Sequence, residues 1–442
     1  MKERIIDRLA ILLAVVFLAA SVACVGTNTP TASADPDAMV SPSVTASSGE
    51  SPLPTEEPTP KFAYSYGIDY SIIPNAIKPK LTEADLEAYY AVVDAFARYE
   101  TGITISSEGE IRNLPELLEL CFPVFYADVA DDALKINGSS VEWSYSVNEN
   151  KHFKLIESFE STVLGKLNRV NDDNMADAST LARMLTLYKD MTIDMEYSYD
   201  SQSYYNGEIP FLAENKYMNH AYDALSSERG VCWCYARAYA FLLNHIGVEA
   251  FTTSCDGGIG HHEWTVFYYD ESWFFADPTW DMYGGLSYFG MTSKNRESSN
   301  YKFSDMQYFA GGAYPLCDDF EISDSRFSEL VNGTYGMFYD YEIDAVNNRI
   351  IIDYADYDDT SVIKKAYFDL ETFELEYGRR AVQKEAHRAC KQSLRYRGPH
   401  LYAVYGTVGA GHIPPLRKGV FACAVCHVRR NRGLRKGNGK VW

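Results

Sequence analysis

The stretch from Ala221 to Asp281 constrains this 442-residue chain more than any other. At its middle is an apolar run, Ala238 to Ile246, rich in Ala, Leu and Phe and stopped by Gly247. Such a run, with glycine placed for the left-handed residue past a helix end, predicts a buried helix. Gly230-Val231-Cys232-Trp233-Cys234-Tyr235-Ala236 leads into it, so Cys232 falls in the first turn. Unpaired backbone N–H groups and the helix dipole favour negative charge there, which biases a cysteine toward its thiolate.

Two aromatic, β-prone runs follow, Gly260 to Tyr269 and Trp273 to Trp280, around the polar residues Asp270-Glu271-Ser272. They read as a hairpin. With a two-residue loop at Asp270 and Glu271, Trp264 lies opposite Asp277. His262, two residues from Trp264, then shares a face with Asp277 as its diagonal neighbour, roughly 7–8 Å away at the backbone. A loop one residue longer breaks that parity, and a register slip of one would make His261 the base instead.

The order is therefore thiol, imidazole, carboxylate. A thiolate needs a base within hydrogen-bond reach, and the base needs a third group to fix its tautomer. Cys232, His262 and Asp277 fill those roles. Each alone has a plainer reading: a buried cysteine is usually core, a histidine among aromatics is usually structural, and an aspartate before proline usually forms a turn. Their joint occurrence on a helix start and a hairpin weighs against three separate structural roles. Cys234 lies further into the helix and reads as structural. Trp233 and Tyr222 are candidates to line the oxyanion site.

Gly230-Val231-Cys232 with Tyr235-Ala236, then His262-Glu263-Trp264, then Asp277-Pro278-Thr279-Trp280 together resemble the core of the transglutaminase-like superfamily. Tyr197 to Asp200 and Ser287-Tyr288-Phe289-Gly290-Met291-Thr292 look like the bacterial branch of that family. The resemblance implies Cys232 as nucleophile, His262 as base and Asp277 as the group that orients it. It also implies an α+β, papain-like fold, with helices packed on an antiparallel sheet and the site between them.

The rest of the chain is read around this core. Lys2, Arg4 and Arg8 precede the apolar run Leu9 to Ala20 and then Ser21-Val22-Ala23-Cys24. The run is too short to span a membrane and reads as a signal peptide over 1–24. Cys24 looks like the lipidated residue of a bacterial lipobox, although Ser21 fits that pattern less well than leucine. Residues 25–61, rich in Thr, Ser, Pro and Ala, cannot bury enough apolar surface to offset their ordering entropy and read as a disordered tether. Residues 62–170 form a leading α+β region, with a helix from Thr82 to Tyr99, strand over 141–156 and a helix over 158–171. The catalytic core spans 171–318 and opens on a helix over 176–191. An accessory β region, 319–380, carries a turn at Asn347-Asn348 and alternating strands on either side. Packing against the core is its expected role, with a substrate-binding module as the alternative. The 34 tyrosines add to the expectation of strand.

Charge separates the last segment. Residues 381–442 hold thirteen Lys/Arg and one acid, a net +12, which leaves −33 on residues 1–380 out of the chain's −21. The acidic bulk argues against a nucleic-acid partner. Cys423-Ala424-Val425-Cys426-His427 matches the spacing of a c-type haem attachment site, but helical context is missing and no methionine occurs beyond Met337. A zinc-like site, a basic tail touching anionic polymers or lipid, and a wrong reading frame are further readings; the tail is taken as outside the fold.

The expected function is thiolate attack on protein or peptide amides by an enzyme held at the extracytoplasmic face of a bacterial membrane through a lipid on Cys24. Hydrolysis is favoured over amine transfer, because an amine acceptor needs its own site. No cofactor or metal is expected, and the oligomeric state is open. The alternative is a catalytically inactive binding or adhesion module on the same fold.

Overall fold

A computed structural model of the chain describes residues 64–378, apart from 173, 174, 176, 209, 211–218, 258, 259, 298–305, 309–321, 332, 334 and 335. Cys24, the 25–61 tether and the 381–442 tail with its Cys423–Cys426–His427 motif lie outside the described residues.

The first helix, α1 (Glu83–Phe96), is fixed by a capping box. The Thr82 side chain accepts from the Asp85 backbone N–H, and the Asp85 carboxylate accepts from that of Thr82. Next come β1 (Gly102–Thr104), α2 (Leu114–Cys121), β2 (Lys135–Asn137) and β3 (Ser140–Glu142). The three strands form an antiparallel sheet in the order β1-β3-β2.

The strand expected over 141–156 is mostly absent. Only Ser140–Glu142 is extended, and α3 (Glu149–Asn171) begins nine residues before the helix expected at 158. The Asn148 side chain accepts from the Lys151 N–H at 3.1 Å, a helix start with an acidic residue directly after it. His152, Ile156, Phe159, Val163, Leu167 and Val170 are buried at spacings of three and four. That helical period over 23 residues outweighs the local alternation around Trp143 and Tyr145.

Helix α4 (Thr180–Thr192) starts four residues later than the 176 expected, because the Ser179 hydroxyl caps it through the Ala182 N–H. Then follow β4 (Glu196–Tyr197), α5 (Tyr199–Tyr205), α6 (Ala221–Ser227), β5 (Arg229–Gly230) and α7 (Cys232–Asn244). β4 and β5 pair in parallel, with Tyr197 beside Gly230. Past the end of α7, Gly247 takes φ +80°, the left-handed conformation that glycine reaches without steric cost.

The central sheet has five strands: β6 (Ala250–Gly257), β7 (Gly260–Tyr269), β8 (Ser272–Ala276), β9 (Phe289–Met291) and β10 (Met306–Tyr308), in the order β10-β6-β7-β8-β9. Every neighbouring pair is antiparallel. Asp270 and Glu271 both have positive φ, 45° and 64°, the signature of a two-residue hairpin turn whose twist matches its strands. The register runs from Tyr269 opposite Ser272 to Thr265 opposite Ala276. Helix α7 lies against β6 and β7, so the architecture is α+β. The Thr265 hydroxyl donates to the Ala236 carbonyl at 2.8 Å, and Arg237 grips Glu263 through two hydrogen bonds of 2.8 and 3.0 Å. That planar, two-point grip holds the helix in register with the strand.

After β9 come α8 (Ser293–Glu297), α9 (Ser328–Val331) and a four-stranded antiparallel sheet, β11 (Met337–Asp344), β12 (Arg349–Ala355), β13 (Lys364–Asp369) and β14 (Leu375–Tyr377), in that order. Its inward face buries Tyr341, Ile350, Ile352, Ala366 and Phe368. Lys189 of α4 ties it down through Asp340 at 3.0 Å. The leading region and α7 share one hydrophobic core, with Tyr70 packed on both Phe122 and Phe241. No helix among the described residues is long and apolar enough to cross a membrane.

Candidate active site

Cys232 is the first residue of α7, where the first-turn N–H groups have no carbonyl of their own helix to meet. His262 lies on β7, and Asp277 stands one residue past β8. Continuing the register from Thr265–Ala276 puts Asp277 level with Trp264, so the two-residue turn sets the parity that brings His262 and Asp277 together. His262 Nε2 donates to Asp277 Oδ2 at 2.7 Å. Cys232 lies close enough to the imidazole for its charge to act on it. Cys232 is 3% exposed, His262 5% and Asp277 fully buried.

Asp277 is held from several sides. Its Oδ1 accepts from the backbone N–H groups of Thr279 (3.1 Å) and Trp280 (3.2 Å), a turn of the kind an aspartate before proline favours. Its Oδ2 takes both His262 and the Arg296 guanidinium. Arg296, on α8, is also fully buried, with its Cζ 4.2 Å from the centre of the Trp264 ring and 4.5 Å from that of Trp280. Trp280 stacks on the His262 ring at 5.2 Å and 24°.

The remaining sequence candidates are distributed as follows. Cys234 is completely buried, and its sulfur accepts from the Val231 N–H at 3.3 Å; burial pushes its thiol pKa well up. His261 is exposed, pairs across from Asp256 and sits on the strand face opposite to His262. The Trp233 indole N–H donates to the Asn219 carbonyl at 2.7 Å, which uses the donor an oxyanion would need. Tyr222 stacks on Phe159 of α3 at 5.4 Å. Tyr197 comes close to Cys232: burial first, then the charges of Cys232 and Cys234, raise its phenol pKa.

Sequence reasoning missed Arg296 and Asp281, and it noted Tyr197 as part of a motif without placing it beside Cys232. Arg296 follows Asp277 by nineteen positions and carried no motif. Asp281 is buried, accepts from the Tyr188 hydroxyl at 2.7 Å and from the backbone N–H groups of Ser287 (2.9 Å) and Tyr288 (2.8 Å), and so pins the loop that leads from Asp277 to β9.

Electrostatics follow from this packing. Burial favours a neutral His262, but the charges of Asp277 and Cys232, with hydrogen bonds to both, prevail and raise its pKa from 6.5 to about 9. Burial works against ionisation of Asp277 too, yet His262 and Arg296 lower its pKa to about 2. For Asp281, burial dominates and raises the pKa to about 7, with the Asp277 charge adding to it.

These shifts give stability a pH dependence. The contribution of Asp277 is present above its ordinary 3.8 and is lost as pH falls toward 2. Asp281 keeps a proton the unfolded chain releases, so its contribution fades as pH rises from 3.8 through 7. That of His262 is complete below 6.5 and is lost as pH rises through 9. The melting midpoint is therefore expected to fall between pH 6.5 and 9, and His262→Gln to flatten that decline. A midpoint that rises over this window, or a decline unchanged in His262→Gln, contradicts the assignment.

Residues 179–278 match the family model of the Transglutaminase-like superfamily. The chain carries a transglutaminase-like domain. All three site residues lie within it, and Arg296 lies beyond its end. A solved structure described as the crystal structure of a TGase is similar at 12% identity with a TM-score of 0.25, over 40% of this chain and 50% of that one. The chain thus spans half the length of that protein. No curated protein sequence matches. Among the described residues, no group of three or more His, Cys, Asp or Glu is placed to hold a metal ion.

Proposed function

We propose that this transglutaminase-like domain is a cysteine enzyme acting on protein or peptide amides, with Cys232 as nucleophile, His262 as acid and base, and Asp277 as its orienting group. The observation that carries the reading is the buried His262–Asp277 hydrogen bond of 2.7 Å, with Cys232 at the start of α7 near enough for its charge to act on the imidazole. Transfer of the thiol proton to the imidazole yields a thiolate beside an imidazolium, a pairing that the buried Asp277 charge stabilises. The thiolate attacks the amide carbonyl carbon. Collapse of the tetrahedral species expels the amine, which takes the imidazolium proton, and leaves an acyl-cysteine. His262 then removes a proton from water, the hydroxide adds to the acyl carbon, and the carboxylic acid and thiol are released. Donors at the helix start are suited to the oxyanion.

Hydrolysis is the favoured outcome over amine transfer, because water needs no binding site. The test is incubation of the protein with mixed peptides, with and without a primary amine in excess. Product masses showing added water in both arms are expected; masses showing amine incorporation would replace hydrolysis by transfer. The burial of Cys232 favours the second reading, an inactive surface module. A Cys232 that reacts with electrophiles no faster than an ordinary thiol would establish that alternative.

We further propose export and lipid anchoring through Cys24, on the basic, apolar and small-residue order of residues 1–24 and the tether after it. Intact-mass analysis of membrane-extracted protein is expected to find lipid on Cys24. A product cleaved elsewhere with Cys24 unmodified refutes the anchor.

A further inference from the structure

Arg296 is a fully buried cation nineteen positions beyond Asp277, and it shares Asp277 Oδ2 with His262 Nε2. It sits between two indoles, 4.2 Å from the centre of Trp264 and 4.5 Å from that of Trp280, and Trp280 stacks on the His262 ring. We propose that Arg296 is a positioning residue for the cysteine reaction: it fixes Asp277, and through Asp277 the imidazole, and it balances the carboxylate charge when thiolate and imidazolium coexist. The inference deepens the cysteine-enzyme reading and rests on it.

The charge count supports this role. In the reacting state Cys232 and Asp277 are negative and His262 is positive, which leaves one negative charge uncompensated in a site closed to water. Such a charge is costly, and a buried guanidinium in contact with it removes most of the cost. Arginine suits the place better than lysine. Its flat guanidinium can lie against indole faces while its in-plane N–H groups reach the carboxylate. Its helix is held in turn: Thr292 and Asn295 form a reciprocal cap at the start of α8, and Ser293 exchanges hydrogen bonds with the Ile322 backbone. The rings of Trp264 and Trp280 thus connect the β7 histidine to a helix outside the matched 179–278 segment. Among the described residues, other titratable groups facing this cluster include Cys234 of α7, Asp281, Tyr188 of α4 and Tyr197 of β4; the variants below leave them unaltered.

The test follows alkylation of Cys232 by iodoacetamide in the full chain as a function of pH, with thermal melts to confirm folding. In the unaltered protein the rate is expected to show a step near pH 9, where the imidazolium loses its proton. Arg296→Met removes a positive charge, so that proton is held harder and the step should move up by about one pH unit. Arg296→Lys keeps the charge but not the planar fork. It should leave the step in place while slowing peptide turnover about tenfold. A step that does not move in a folded Arg296→Met protein overturns the inference. Should that variant not fold, the lysine variant decides, and unchanged turnover in it overturns the inference equally. If the unaltered Cys232 alkylates no faster than an ordinary thiol, the enzyme reading fails first and the inference falls with it, a result visible without any Arg296 variant.

Discussion

Cys232→Ala and His262→Ala are each expected to lower peptide turnover by about a thousandfold or more, because nucleophile and base act as one unit and little remains when either is missing. Cys234→Ala and His261→Ala should keep most of the activity. Cys234 is completely buried, accepts the Val231 N–H and has its thiol pKa raised by burial. His261 points from the strand face opposite to His262. Asp277→Asn should fall between the two pairs, since an amide can still contact the imidazole but brings no charge to hold it protonated. Labelling by an electrophile should follow the same order, with Cys232→Ala removing the reactive site itself. Folding must be checked beside each variant, as α7 runs through the core. Loss of reactivity in a folded Cys234→Ala protein, with Cys232→Ala spared, would invalidate the assignment.

The second large effect is on stability. Gly290 in β9 has φ +76°, and a Cβ there would lie 2.3 Å from two ring carbons of Phe327 and 2.6 Å from its Cβ. Phe327 has little room to yield, being packed against Phe274, Phe289 and Phe373 at ring distances of 5.0, 5.5 and 5.3 Å. Gly290→Ala therefore adds left-handed backbone strain to overpacking, together about 3 kcal/mol. The melting midpoint should drop by roughly 3–6 °C. Gly138→Ala is the comparison: its φ is +61°, but nothing lies within 4 Å of the added carbon, so only the strain remains, about 1 kcal/mol. Equal melting of the two variants would show that Phe327 gives way, and the packing argument would fail.

What could be read from the sequence was local. The hairpin turn at Asp270-Glu271 involves two adjacent residues with left-handed backbone, and once it is placed, the period of two along a strand sets which side chains share a face. That was enough to bring His262 and Asp277 together and to turn His261 away. The start of α7 at Cys232 and its end before Gly247 were legible for the same reason, since cap residues act within a single turn. The error at 141–156 was also local in origin. A short alternation mimics strand there, while the Asn148 cap and the buried positions running on to Val170 impose a helical period over the longer window.

Other features were decided only by contacts between segments distant in sequence. Trp264 and Trp280 belong to motifs, but nothing in their spacing foretold that a guanidinium from α8 would lie between them. The same holds for the parallel pairing of Tyr197 with Gly230, which brings the phenol near Cys232, and for the Asn219 carbonyl that takes the Trp233 indole N–H. Chain pattern determines which face of an element is apolar and where the element starts and stops. Which buried charge meets which depends on how the elements dock, because the desolvation cost of Asp277 is offset only by partners, His262 and Arg296, that tertiary packing delivers.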